Sequence, residues 1–199
     1  KKIRKVDGLE LVTGKAKFTG DLRFPGMLYG YEVRAGIPAG EILSIRTGAA
    51  LELPGVKAVL TAADIPGPNL IGILPPFDQP VLPDKEIRYA GESVALVIAD
   101  SRDLARRASL KVEVDIRPFD PILEPDDALD PEARKIHPDG NITYSKKLIK
   151  GDAERELSEA DTVVTGVYET SFQDHGYLEP EAVCAVPAGD GRYTLYASC

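Results

Sequence analysis

The residues of this chain with chemical potential are few and scattered. Gly8-Leu9-Glu10-Leu11-Val12-Thr13-Gly14-Lys15-Ala16 has the glycines and lysine of a phosphate-cradling loop. Yet five residues separate its glycines, one too many, and Ala16 stands where Ser or Thr would hold magnesium. The segment reads as a turn before a strand, and nucleotide binding is set aside. His137, beside Pro138, reads as a solvated histidine. The densest polar segment is Gln173-Asp174-His175-Gly176-Tyr177-Leu178-Glu179-Pro180-Glu181, set between two expected strands, where function tends to sit. Glu179 and Glu181 as an acid/base pair would need opposed environments and a cleft between them. Residues two apart on a strand point the same way instead. A buried His or Glu holding a strand junction by hydrogen bonds is the default here. A small hydrolase built on Glu179 and His175 ranks last among the readings. Cys184 and Cys199 have neither CxxC nor Cys/His spacing, so no zinc site or disulfide framework is expected.

The elements that must position these groups follow from periodicity. Leu28 to Arg34 alternates with period two and predicts a strand, and Val56 to Leu60 another. Thr61 to Ile65, before Pro66, predicts one capped helical turn, and the proline-rich run from Pro66 to Pro83 an irregular loop. Ser93 to Ala99 is continuously apolar and rich in β-branched residues, which predicts a strand buried on both faces at the centre of a sheet. Asp100 or Ser101 then caps a helix carrying Leu104, Ala108 and Val112 on one face. By Val112 to Ile116 the period has switched to two, so that helix hands over to another strand. Pro118, Pro121, Pro125, Pro131 and Pro138, interspersed with acidic residues, mark a linker from Pro118 to Gly140 with one turn near Asp126 to Leu129. Beyond it, Asp152 caps a short helix with Ala153, Leu157 and Ala160. Thr162 to Phe172 reads as a strand. Ala182 to Val186 and Tyr193 to Ala197 form a hairpin about Asp190-Gly191.

Composition bounds the partners. The 199 residues are 43% hydrophobic, enough for a real core, and 24 Lys+Arg against 32 Asp+Glu give a formal charge of -8, opposite to what a phosphate-backbone binder needs. No nucleic acid partner is expected. No run approaches a membrane span and the opening residues lack the apolar core of a secretory signal, so the expectation is a soluble, cytoplasmic protein without a membrane partner. The first residue is not Met and the last predicted strand has no natural end, so the chain is expected to be a piece of something longer.

Several stretches, taken in order, resemble one known family. Val6-Asp7-Gly8 with Val12 to Asp21, then Pro54-Gly55-Val56 with Val59 to Pro66, are similar to the opening of molybdenum hydroxylase large subunits of the xanthine dehydrogenase/aldehyde oxidase type. Arg88-Tyr89-Ala90-Gly91-Glu92-Ser93-Val94-Ala95-Leu96-Val97 resembles the family's R-Y-x-G-E-x-V-A-x-V stretch. Gly151-Asp152 to Asp161, and Phe172 to Ala182, resemble the start of its molybdopterin-binding region. One departure is plain: Arg34 to Ile42 reads R-A-G-I-P-A-G-E-I where the family more usually has R-S-P-H-A-H-A-x-I, which leaves the subfamily open.

The resemblance implies an α+β architecture: an α/β hammerhead domain over residues 1–133, then the mostly-β first part of a truncated molybdopterin-binding domain over 134–199. It implies an enzyme that hydroxylates an aldehyde or N-heterocycle with water as oxygen donor. Molybdopterin would sit in the intact protein, with [2Fe-2S] clusters and FAD on partner subunits or domains, and the intact enzyme would be a homo-oligomer. The glutamine beside the molybdenum would follow Tyr196-Ala197-Ser198-Cys199, with the glycine-rich cofactor segment and base glutamate further on. No catalytic, cofactor-binding or metal residue is therefore expected in this chain, whose role would be structural. Ile73, Leu74, Gln173, His175 and Glu179 are the candidates for walls of the substrate funnel. The competing reading is a free-standing hammerhead module for binding or interaction, without a molybdenum centre.

Overall fold

The computed structural model describes residues 5–72, 77–177 and 179–198. In chain order these form α1 (Gly8–Val12), β1 (Tyr29–Arg34), β2 (Gly40–Arg46), α2 (Gly48–Leu51), β3 (Val56–Leu60), β4 (Glu86–Ile87), β5 (Ser93–Ala99), α3 (Arg102–Ser109), β6 (Glu113–Pro118), α4 (Pro125–Ala128), α5 (Ala153–Ser158), β7 (Ala182–Pro187) and β8 (Tyr193–Ser198), with single 3-10 turns at Thr19–Asp21 and Ala62–Asp64. Two units emerge: Met27–Ile149, and Lys1–Gly26 together with Lys150–Cys199.

In the larger unit the apolar run of β5 lies at the centre of a sheet ordered β1-β5-β3, antiparallel on both sides, with Val97 opposite Tyr31 and Val59. Val94, Ala95, Val97 and Ala99 are buried, as a strand covered on both faces requires. Each fully buried valine contributes roughly 1.5–3 kcal/mol of apolar burial. Ser101 caps α3 by accepting a 3.2 Å hydrogen bond from the Leu104 N–H. Ala105, Ala108 and Ser109 are buried where α3 packs on β1 and β5. After a short turn the chain enters β6, as the period switch predicts, but β6 joins a second sheet, ordered β4-β2-β6.

Strand β2 was not foreseen, and its register gives the reason. An irregularity between Ile42 and Ser44 against β6 interrupts the alternation, so Ile42 and Ile45, three apart, both pack on the core while Leu43 stays exposed. Gly40 begins this strand with Ile116 Cγ2 only 2.6 Å from where a Cβ would stand, so a side chain there would hold β6 away. The Pro66–Pro83 loop is closed by Asn69, which donates to Leu82 O at 2.6 Å and accepts from the N–H groups of Val81 and Leu82, both at 3.1 Å.

In the smaller unit, Gly8 to Val12 is a short helix rather than the expected turn before a strand. Asp152 caps α5, accepting from the Arg155 N–H at 3.1 Å. The hairpin β7–β8 turns through Gly189, Asp190 and Gly191, all at positive φ (79, 52 and 71°), and the Phe24 ring lies 5.6 Å from that of Tyr196 on β8. Thr162 to Phe172 departs from expectation. It keeps the alternating composition of a strand but has no strand neighbour among the described residues, and its residues are exposed. A pattern that fits a pleated surface does not become a strand without a second strand to pair with.

Candidate functional site

The segment between β4 and β5 is built around one carboxylate. Glu92 is 3% exposed, and its Oε2 accepts a hydrogen bond from the Arg88 N–H at 2.7 Å. The Glu92 N–H donates to Tyr89 O at 3.1 Å, so Arg88-Tyr89-Ala90-Gly91-Glu92 closes on itself. From β1, Arg34 Nη1 donates to Gly91 O at 2.9 Å and the Ala35 N–H to Glu92 O at 2.9 Å, which fixes the turn to the sheet. The Arg88 guanidinium then reaches forty-eight residues along the chain, its Nε donating to Ile136 O at 3.1 Å.

The acceptor segment is held in turn by Asn141. Its Nδ2 donates to Ala128 O at 3.2 Å and Arg134 O at 3.0 Å, and its Oδ1 accepts from the Ile136 N–H at 2.7 Å. The Arg134 guanidinium lies 5.1 Å from the Phe119 ring centroid. Residues 118–140, which read as a linker, are thus tied into the larger unit. Between them and the Asp78-Gln79-Pro80 loop lies an open cleft of about 390 Å³, lined also by Arg88, Tyr89, Glu92, His137 and Asp139. His137 is not the solvated histidine expected. Its side chain is 30% exposed and its Nδ1 lies 2.8 Å from Asp78 Oδ2, though without the alignment of a hydrogen bond.

The other candidates are dispersed. Gln173, His175 and Glu179 are all exposed, on a stretch without regular structure. The His175 ring stacks on Tyr177, with centroids 5.4 Å apart and planes 6° from parallel, and Asp174 Oδ1 accepts from the Gly176 N–H at 2.7 Å. No hydrogen bond or ion pair joins His175 to Glu179 among the described residues, and nothing there forms a nucleophile and base within hydrogen-bond reach. Ile73 and Leu74 lie outside the described residues. Sequence reasoning missed the buried Glu92 and the Arg88–Ile136 tie as a unit, although the Arg88–Glu92 spacing was on view as a motif.

Residues 13–120 match the family model described as "Aldehyde oxidase and xanthine dehydrogenase, a/b hammerhead domain". The chain belongs to the aldehyde oxidase and xanthine dehydrogenase family. Residues 136–199 match the model for a molybdopterin cofactor-binding domain. Among curated relatives, a probable xanthine dehydrogenase subunit of Bacillus subtilis (strain 168) is 41% identical over 96% of this chain and 26% of its own length. The nicotinate dehydrogenase large molybdopterin subunit of Eubacterium barkeri is 35% identical over 98% of this chain and 45% of its own. The solved aldehyde oxidoreductase of Desulfovibrio gigas superposes with a TM-score of 0.89 at 30% identity, over 96% of this chain and 23% of that one. The fold is therefore the α+β hammerhead followed by a β-rich region. The chain spans between about a quarter and a half of the length of these relatives.

Whether these residues fit the family's cofactor is a question of charge and donors. The cleft carries Asp78, Glu92 and Asp139 against Arg88 and His137, and the Arg88 Nε is already committed to Ile136. A pyrophosphate needs convergent N–H donors and net positive charge. The cleft offers the reverse, so by itself it does not fit the pyrophosphate of that cofactor. The R-Y-x-G-E stretch acts here as a fastening: it fixes the residues that open the matched cofactor-binding region to the hammerhead sheet.

Proposed function

We propose that this chain is the front part of the molybdopterin-carrying subunit of a molybdenum hydroxylase, an enzyme that oxidises an aldehyde or N-heterocycle with water as oxygen donor. The observation that carries the reading is the consecutive match of residues 13–120 and 136–199 to the two family models, in relatives whose names are xanthine dehydrogenase, nicotinate dehydrogenase and aldehyde oxidoreductase. Molybdopterin, when bound in the intact subunit, supplies the redox chemistry, and the protein supplies position and electrostatics. Electrons would leave to iron–sulfur and FAD subunits or domains, and the intact enzyme would be a cytoplasmic homo-oligomer. No helix among the described residues is long and apolar enough to cross a membrane.

Within that larger protein residues 1–199 would be structural, with the proposed border between hammerhead and cofactor-binding region at residues 133 and 134; the matched ranges 13–120 and 136–199 support a border in the interval between them. Ile73, Leu74, Gln173, His175 and Glu179 remain the proposed funnel wall. The test is replacement. This chain is substituted for the matched region of the Bacillus subtilis relative, and the purified chimera is measured for molybdenum and for oxidation of purines, nicotinate and aldehydes. Molybdenum near one per subunit with dehydrogenase activity is expected. A soluble chimera that takes up no molybdenum, while the parent does, would sink the reading.

A further inference from the structure

The cleft between the Asp78-Gln79-Pro80 loop and residues 136–143 lies wholly within the Met27–Ile149 unit, and its charges are not paired with one another. Asp78 is accounted for by His137, 2.8 Å away. Arg88, Glu92 and Asp139 are not. Among the described residues no ion pair joins the Arg88 guanidinium to either of these carboxylates, although all three side chains line the same volume of about 390 Å³.

Two of the three are pinned, which keeps them apart. The Arg88 Nε is held by Ile136 O at 3.1 Å, and the guanidinium's terminal Nη groups make no hydrogen bond among the described residues. The Glu92 carboxylate is held through one oxygen, Oε2, by the Arg88 N–H at 2.7 Å. Its Oε1 accepts no hydrogen bond among the described residues, and it is not sealed in either, since the buried polar side-chain atoms without a partner are Arg134 Nε and His137 Nδ1. Oε1 therefore opens on the cleft, from a residue that is 3% exposed. A carboxylate can accept about four hydrogen bonds, and one so far removed from water needs more than a single donor.

These positions select a ligand by charge. A lone cation entering the cleft meets the Arg88 guanidinium, and a lone anion meets Glu92 and Asp139. A molecule with both charges meets its complement at each end. We propose that the cleft is a binding site for a small zwitterion of the amino-acid class, its carboxylate taken by the Nη groups of Arg88 and its ammonium by Glu92 Oε1 and the exposed Asp139. The planar fork of a guanidinium matches a carboxylate. Pro80, Tyr89, Ile136 and Ile142 give the carbon skeleton an apolar wall, and the volume falls within the ~300–1,000 Å³ of small-molecule sites. The site is separate from the molybdenum chemistry proposed above and does not depend on it.

The experiment is amide NMR on the 199-residue chain at constant ionic strength. The probes are L-alanine, β-alanine and γ-aminobutyrate, in which the two charges stand progressively farther apart, with butylamine and butyrate, which carry one each. At least one zwitterion should shift the Tyr89, His137 and Gly140 amides, leave those of Val94 to Ile98 unmoved, and bind at least tenfold more tightly than either single-charge probe. Glu92→Gln should weaken that zwitterion tenfold or more. Asp139→Asn should weaken it severalfold, since the charge it removes is exposed and screened. The Asp139 side chain makes no hydrogen bond or ion pair among the described residues, so its variant decides the question should Glu92→Gln not fold. Butylamine binding as tightly would make the cleft a plain cation site, and butyrate binding as tightly a plain anion site, and either result overturns the proposal. So does the absence of binding by all three zwitterions, or an affinity that neither variant changes.

Discussion

If the Arg88–Glu92 turn is a fastening, its weakest point is the Glu92 carboxylate, and Glu92→Ala is the perturbation that tests it. The substitution removes a 2.7 Å bond donated by the Arg88 N–H to the carboxylate of a residue that is only 3% exposed. A hydrogen bond to a charged group contributes about 1.5–3 kcal/mol, and leaving a buried donor unmet costs about 1–3 kcal/mol. These overlap, and the net expectation is about 2–4 kcal/mol, a large share of the ~5–15 kcal/mol that holds a typical domain together. Glu92→Gln keeps the shape and an acceptor for the same N–H, so it should cost about 1 kcal/mol. Native-state hydrogen exchange at Val94 to Ile98 reads the opening free energy of the larger unit without interference from the smaller one. The expected order of stability is wild type, Gln, Ala. A loss below about 0.5 kcal/mol for Ala, within the range of ordinary surface changes, would refute the fastening. So would a Gln variant as damaged as Ala, since charge rather than the bond to Arg88 would then be what matters.

Other expected outcomes concern the same scaffold. Asn141→Ala removes two donated bonds and one accepted bond, and should destabilise the 128–141 segment by about 2–3 kcal/mol, seen as faster exchange at the Ile136 amide. Unchanged exchange there would show the segment is held by something else. Ser101→Ala should cost about 1 kcal/mol in urea denaturation through loss of the α3 cap, and no change would mean water replaces it without penalty. Trypsin should cut first at Lys146, Lys147 or Lys150, which are exposed and without regular structure where the two units divide, and only later at Arg134. First cuts within 118–140 would mean the Asn141 and Arg88 ties are weaker than their geometry implies. Gly40→Val should be among the most damaging single changes, several kcal/mol in the same denaturation assay, because its side chain would meet Ile116 and the Arg117 carbonyl.

Much was determined by sequence alone, because the physics is local. The apolar run Ser93 to Ala99 carries its own burial, Ser101 and Asp152 carry their own capping oxygens, and Asp190-Gly191 its own turn, so β5, α3, α5 and the β7–β8 hairpin stand where periodicity puts them. The ordered motifs also sufficed to identify the family. What tertiary structure decided was every feature that needs a distant partner. Strand β2 escaped notice because the register shift that brings both Ile42 and Ile45 inward is set by β6, some seventy residues on. Nothing in His137-Pro138 announces Asp78 beside it, and nothing in Arg88 announces the Ile136 carbonyl. Thr162 to Phe172 shows the same dependence from the other side. Its alternation is complete, yet a strand is a property of a pair, and among the described residues its backbone groups meet no second strand.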